Sequence, residues 1–232
     1  MSEPTTIPTP AAPKEMPPLR DGERLDQPTF HQRYEAMPPG TRAELIGGVV
    51  YMPSPLKASH GEIHGELMAW LKGYKARTPG TRVFDNATTI LGAEGEPQPD
   101  ASLCLLPECG GQTHIDEQDY LRGAPELVAE VSHSSEDIDL GQKLLDYQQA
   151  GVREYLVVLL RRQQVRWFVR RGTEFMDLLP GPDGFFRSEV FPGLWLDPQA
   201  LMKTDTLRLL EILNQGLATP EHAAFVARLR RP

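Results

Sequence analysis

The chain predicts a single α/β domain in which a central mixed β-sheet is flanked by helices, and three observations carry that prediction. Ala101 to Leu106 and Glu126 to Ser132 are runs of strand length with almost nothing polar in them, as strands covered on both faces require. Leu127 to Leu159 reads strand, helix, strand, a crossover that makes its two strands parallel and right-handed. Ala43 to Ile46 and Val49 to Met52 flank Gly47-Gly48, a two-residue turn that needs positive φ, so an antiparallel hairpin is expected there. At 232 residues the chain is long enough for one well-buried domain with appendages.

Taken in order, Met1 to Pro28 holds seven prolines among Thr, Ala and charged residues. Such a segment cannot bury enough surface to offset ordering its backbone, and a disordered tail is expected. Thr29 is placed to cap a short helix, Phe30 to Ala36, which stops at Met37-Pro38-Pro39-Gly40. After the hairpin, Ile63, Leu67, Trp70, Leu71 and Tyr74 recur at helical spacing, predicting an amphipathic helix from Ser59 to about Arg77 that ends before Pro79-Gly80. Arg82 to Phe84 and Ala87 to Leu91 read as strands, and Pro107 to Ala124 as a surface loop with a short helical turn. Ser134 and Ser135 can cap a helix that runs to Ala150 and is closed by Gly151. Along it Asp139, Lys143 and Tyr147 are spaced by four and share a face. Val152 to Leu160 is an apolar strand, and Val165 to Val169 with Glu174 to Leu179 reads as a meander beyond it. Helices follow from Pro198 to about Gln215 and from Pro220 to Arg230.

Two carboxylates sit where burial is expected. Asp100 heads the first apolar run, and alternation in the second puts Leu127, Ala129 and Val131 on one side, leaving Val128, Glu130 and Ser132 on the other. A carboxylate on a covered strand loses hydration worth several kcal/mol, to order of magnitude, and needs a cation, a donor set or a metal. Two of them on neighbouring strands would suit a hard divalent cation.

Charge and cysteine content narrow the function classes. A formal net charge of −8 argues against a surface that wraps nucleic acid throughout, while leaving room for a local basic strip. Arg161, Arg162, Arg166, Arg170 and Arg171 form the densest basic cluster, which reads either as a phosphate contact or as the solvated face of the meander. Cys104 and Cys109 do not make a disulfide framework and fit a reducing compartment. A metal site of Cys104, Cys109 and His114 lacks a fourth ligand, and Cys104 reads as core. His60 and His64 stand one helical turn apart, but Glu62 does not directly follow the first of them as the glutamate of a zinc protease does. The longest apolar stretch, Tyr155 to Leu160, is far too short to span a bilayer, and the first residues carry Pro, Glu and Lys where a secretory signal needs an apolar core. A cytoplasmic protein without a membrane partner is expected.

The order Glu44-Leu45-Ile46-Gly47-Gly48, Met52-Pro53-Ser54-Pro55, His60, Pro99-Asp100, Glu130-Val131-Ser132 and Asp139-xxx-Lys143-xxx-Tyr147-xxx-Gly151-Val152-x-Glu154-Tyr155 resembles the Uma-type restriction endonuclease family of the PD-(D/E)XK nuclease superfamily. The resemblance runs from about Phe30 to Met202 and is most specific over Lys143 to Tyr155. It implies the restriction-endonuclease-like fold, with a nuclease-like domain over 29–202 between the tail at 1–28 and a C-terminal helical extension at 203–232. By position it implies Asp100, Glu130 and Glu44 as metal ligands, Lys143 as the catalytic lysine, and His60 and Ser132 as substrate-facing residues. Ser132 is a departure, because the superfamily pattern puts lysine two residues after the second acid; Lys143 matches the position from which family members supply it on the following helix.

The chemistry so implied is phosphodiester hydrolysis of DNA with magnesium, or manganese as its substitute, held by Asp100, Glu130 and the Val131 carbonyl. Lys143 would orient or deprotonate water or stabilise developing charge. Nucleases of this type often cut both strands as dimers, so a homodimer is expected by analogy. Taken alone, Asp139 and Lys143 also read as an exposed helix ion pair worth about 0.3–0.5 kcal/mol, and Tyr147 reads as packing. The net charge and Ser132 motivate an alternative, a catalytically inactive interaction module built on the nuclease fold.

Overall fold

A computed structural model describes residues 16–230. In chain order the elements are α1 (Gln27–Glu35), β1 (Glu44–Ile46), β2 (Val49–Tyr51), α2 (Ala58–Arg77), β3 (Thr81–Asp85), β4 (Thr89–Ile90), β5 (Ala101–Leu105), β6 (His114–Ile115), β7 (Leu121–Arg122), β8 (Leu127–Ser132), α3 (Glu136–Asp139), α4 (Gln142–Ala150), β9 (Glu154–Leu159), β10 (Gln164–Arg171), β11 (Glu174–Leu178), β12 (Phe186–Arg187), β13 (Trp195–Leu196), α5 (Pro198–Met202), α6 (Thr206–Leu217) and α7 (Pro220–Leu229). Six strands form the central mixed sheet in the order β11-β10-β9-β8-β5-β3. Only β8 and β9 are parallel, joined through α3 and α4, and the other four pairings are antiparallel.

Both sheet faces are covered, which is why β5, β8 and β9 are buried along their whole length. On one face Leu127, Ala129, Val131, Leu156 and Val158 pack with Leu67, Trp70, Leu71 and Tyr74 of α2 and with Leu209, Leu213 and Phe225. On the other, Val128, Tyr155, Val157 and Leu159 pack with Tyr147 of α4. The alternation expected in β8 is thus the alternation observed, and it turns Glu130 toward α4.

Several expected boundaries move. Residues 1–15 of the expected tail lie outside the described residues, but 16–28 are ordered. Leu19 is buried, Gly22 N–H donates to Val50 O at 2.8 Å, and the Arg33 guanidinium bonds the Pro17 and Pro18 carbonyls. Burial of Leu19 with Phe30, Leu45 and Val50 supplies the apolar contact that proline content alone hid. α1 starts at Gln27 because Asp26, rather than Thr29, is the cap: its Oδ1 accepts the Thr29 N–H at 2.9 Å. The long helix expected before Gly151 is broken into α3 and α4 at Gly141, where a Cβ would stand 2.3 Å from the Asp137 carbonyl oxygen. The loop at Pro107 to Ala124 carries β6 and β7, which pair with each other, and β7 pairs with β4 on its other side.

The residues expected as a C-terminal extension belong to the domain. α6 and α7 seal one end of the α2 face through Leu209, Leu213 and Phe225. Cys104 is buried in β5, Cys109 Sγ donates to the Leu229 carbonyl at 3.3 Å, and they do not form a metal site with His114. Among the described residues no helix is long and apolar enough to cross a membrane.

Candidate active site

The site lies where the start of β5 meets the end of β8. Because these strands are antiparallel, with Ala101 opposite Ala129, the residue before β5 and the residue after Ala129 come together. Asp100 Oδ2 accepts the Val131 N–H at 2.7 Å, which replaces the next rung of the ladder and fixes the carboxylate beside Glu130. The Asp100 N–H in turn lies 3.5 Å from Glu130 Oε2.

α4 supplies the cation. Lys143 and Tyr147 are one turn apart on the face pressed against β8, and both reach the same atom. Lys143 Nζ donates to Glu130 Oε1 at 2.9 Å, and the Tyr147 hydroxyl donates to it at 2.7 Å. Lys143 Nζ also lies 3.0 Å from Glu44 Oε1 on β1 and 4.0 Å from Asp139 Oδ1 on α3. The same Glu44 oxygen also accepts the Gln98 N–H at 2.7 Å.

α2 supplies two imidazoles to Asp100. His60 Nε2 lies 3.2 Å from Asp100 Oδ2, and His64 Nε2 lies 2.9 Å from the Asp100 carbonyl oxygen and 3.3 Å from Asp85 Oδ1. His60 Nδ1 is buried and has no hydrogen-bond partner among the described residues. Glu44, His60, Asp100, Glu130, Asp139 and Lys143 line a cleft of about 670 Å³, to whose wall the loop Met52 to Lys57 also contributes.

Four carboxylates, of Glu44, Asp100, Glu130 and Asp139, thus surround one ammonium. Burial pushes Glu130 up to about 8; the Lys143 charge opposes this, and the charges of Asp100, Asp139 and Glu44 add to it. Burial likewise raises Asp139 against the pull of Lys143. Asp100 is held below the usual carboxylate range: burial works upward, but the His60 hydrogen bond and charge, the Val131 N–H and Lys143 together outweigh it. Lys143 rises well above its ordinary value, because the Glu130, Glu44 and Asp139 charges outweigh its desolvation. A buried cluster with this surplus of negative charge favours a further cation.

The four residues expected to act together, Glu44, Asp100, Glu130 and Lys143, are brought together. His60 is on the cleft wall but aims at Asp100. Ser132 is not on the wall: it is fully buried, with its Oγ 3.4 Å from Ser135 Oγ, which donates to Asp139. It lies on the α4 side of β8, beside the Ser135–Asp139 pair. Glu44 Oε1 is taken up by Lys143 and the Gln98 N–H. Among the described residues no three His, Cys, Asp or Glu side chains form a ready-made metal cage.

The exposed ion-pair reading of Asp139 and Lys143 does not hold, because both are buried. Tyr147 does more than pack, as its bond to Glu130 shows. His64 and the Tyr147 hydroxyl were not legible as site groups, although the spacing of four that joins each to His60 or Lys143 was the available signal.

A family model described as "Uma2: Putative restriction endonuclease" matches residues 28–199. Among solved structures, the chain is similar to a protein of Anabaena variabilis described as a putative nuclease belonging to DUF820. The identity is 15% and the TM-score 0.59, over 74% of this chain and 96% of that one. At that identity the likeness bears on the fold. A comparison with curated proteins finds no match. With about three-quarters of its length under the family model and a nuclease fold around the cleft, the chain belongs to the Uma2 family of restriction-endonuclease-like proteins, and its function is nuclease-like.

Proposed function

We propose that the chain is a magnesium-dependent DNA endonuclease that hydrolyses phosphodiester bonds in the cleft around Asp100 and Glu130. The observation that carries the reading is the gathering of four carboxylates and one buried ammonium at the mouth of a single open cleft. The residues fit a hard divalent ion: Asp100 keeps its negative charge, Glu130 Oε2 faces no short protein donor, and magnesium accepts few protein oxygens while retaining water. Asp100 and Glu130, with the Val131 carbonyl, would hold it. Magnesium, or manganese in its place, would supply an acidified water and charge neutralisation at the phosphoryl oxygens.

The chain's own groups do the rest. Lys143 stays protonated in this field of carboxylates, so its part is to stabilise developing negative charge and to orient water rather than to accept a proton. Glu44, bonded to Lys143 and to the Gln98 amide, fixes where that ammonium stands. His60 and His64 lock Asp100 from two directions, which keeps its carboxylate aimed at the β8 end.

The test is nicking of supercoiled plasmid with added magnesium, comparing the wild type with Asp100→Asn and an Asp100→Ala, Glu130→Ala double variant. Loss of nicking in both variants supports the reading. Equal activity in all three rules out this site, and no activity in any favours a nuclease-fold interaction module. Size-exclusion chromatography with light scattering tests the homodimer that double-strand cutting would use.

A further inference from the structure

Beside the cleft, and sharing His133 with it, runs a second groove of about 270 Å³ whose lining includes Arg161, Lys203, Gln163, Thr204 and one carboxylate, that of Glu62. We infer that this groove holds a backbone phosphate of the nucleic acid away from the scissile bond, with Arg161 and Lys203 as its cations. The inference rests on the nuclease reading above and adds to it the place where the strand is gripped.

Topology puts the groove there. β8 and β9 are the parallel pair of the sheet, so their carboxyl ends lie together, and ligands of open sheets gather outside such ends. The Leu160 N–H donates to Ser132 O at 2.9 Å, so the chain leaves β9 at Arg161 just as it leaves β8 at His133. Glu130 and His133 are three residue steps apart, about 10 Å. Along the axis of a duplex that distance is about three steps of ~3.4 Å.

Charge argues the same way. The catalytic cleft carries more carboxylate than ammonium, and the whole chain is at −8, so a polyanion must be held by local cations outside the cleft. Most of the arginine cluster is not available for this. Arg162 is tied to Glu136 at 2.6 Å, Arg166 to Asp177 at 2.6 Å and Arg171 to Glu189 at 2.5 Å, while Arg170 bonds the Gln148 carbonyl. Arg161 is exposed and has no carboxylate partner among the described residues, and the same holds for Lys203. Gln163 and Thr204, both non-glycine residues at positive φ, hold the two turns that present these cations across the groove. Gln163 Nε2 pins its own turn by donating to the Leu160 carbonyl at 2.8 Å. Glu62, the one carboxylate in the lining, sets a limit on how close a phosphate comes to α2.

The experiment is anisotropy of a labelled 20-base-pair DNA duplex without divalent metal, titrated with full-length protein between 50 and 200 mM salt. The proteins compared are the wild type, Arg161→Ala with Lys203→Ala, and a control, Arg166→Ala with Arg171→Ala, whose guanidiniums are already paired. The groove variant is expected to bind roughly tenfold more weakly and to lose about one from the salt slope, as the loss of one phosphate contact requires, while the control keeps the wild-type slope. Thermal melts establish that all three are folded, as substitution of exposed side chains leads one to expect. If the groove variant binds as the wild type does, with an unchanged slope, the inference is overturned while plasmid nicking still decides the nuclease reading. If wild type and groove variant differ as stated but nothing nicks plasmid, the groove stands and the catalytic reading falls. A wild type that neither binds duplex nor nicks plasmid overturns both.

Discussion

The Gly47 N–H donates to Asp146 Oδ2 at 2.6 Å, joining the turn of the β1–β2 hairpin to the outer side of α4. The contact matters because Glu44 and Lys143, the ion pair across the cleft, stand on those same two elements. Gly47 sits at φ +55, so the turn needs glycine for its conformation, while the Gln142 side chain that a Cβ would meet at 2.7 Å has only to swing aside. Asp146→Ala is expected to cost about 1–3 kcal/mol, the usual loss for a hydrogen bond to a charged group. A urea midpoint that does not move would show that the hairpin is held by other contacts.

Lys143→Met removes the only ammonium among Glu44, Glu130 and Asp139. Breaking a buried pair on one side costs about 3–5 kcal/mol, because the remaining charge has no partner. The sign with pH follows from the carboxylates. Lys143 now pulls Glu130 and Asp139 down, so without it both rise further and keep protons that the unfolded chain releases above the ordinary carboxylate range. The variant should therefore be only mildly destabilised near pH 5 and severely so near pH 8, with nicking abolished at both. Parallel urea titrations at the two pH values check this; an equal loss at both would mean that the carboxylates do not respond as one buried cluster.

These two tests show what the sequence could and could not disclose. The alternation of Leu127, Ala129 and Val131 against Glu130 was legible because a period of two is local, and it told correctly which way Glu130 turns. Lys143 and Tyr147 were legible as neighbours on one helix face, but not the atom they share, since Glu130 Oε1 belongs to a strand 13 and 17 residues away. The Gly47 to Asp146 bond spans 99 residues and left no local trace. Burial of α6 did leave one: Leu209, Ile212, Leu213 and Gly216 recur at helical spacing and are all buried, so the extension could have been recognised as part of the core. Ser132 could not be weighed from the sequence, because the superfamily pattern is written in positions, whereas whether the Lys143 ammonium reaches Glu130 is decided in space.

Glu154 offers a pH dependence away from the cleft. It is wholly buried at the start of β9, its carboxylate accepting bonds from Ser188 Oγ at 2.6 Å and from the Glu189 and Val190 N–H groups at 2.7 and 3.2 Å. Burial nevertheless outweighs these donors and pushes it up to about 7. The folded chain then binds a proton that the unfolded chain gives up above about 4.5, so this group's contribution to stability is fully present below 4.5 and is lost as pH rises toward 7. The slope is at most about 1.4 kcal/mol per pH unit within that window. Glu154→Gln keeps the shape and the acceptor for the two backbone donors, and should flatten this part of the profile. Thermal melts of both proteins from pH 4.5 to 7.5 decide it, and parallel profiles would assign the wild-type slope to other groups.

Tyr147 separates packing from positioning. Its ring packs against Tyr155 with centroids 4.9 Å apart, and its hydroxyl donates to the oxygen that also receives Lys143. Tyr147→Phe preserves the ring and removes only the donor. The Lys143 bond still satisfies Glu130 Oε1, so the stability loss should stay near 1–2 kcal/mol, well below that of Lys143→Met. If the hydroxyl helps fix the Glu130 rotamer at the cleft, nicking should slow with kcat lowered about tenfold and KM little changed, since a group that holds a carboxylate in place affects the reacting geometry more than strand binding. Tyr147→Leu, which loses ring and donor together, should be both slower and markedly less stable, because truncating a buried aromatic side chain costs several kcal/mol, to order of magnitude. A Tyr147→Phe protein with wild-type kcat would reduce the residue to packing, leaving Lys143 and Glu44 to hold the site on their own.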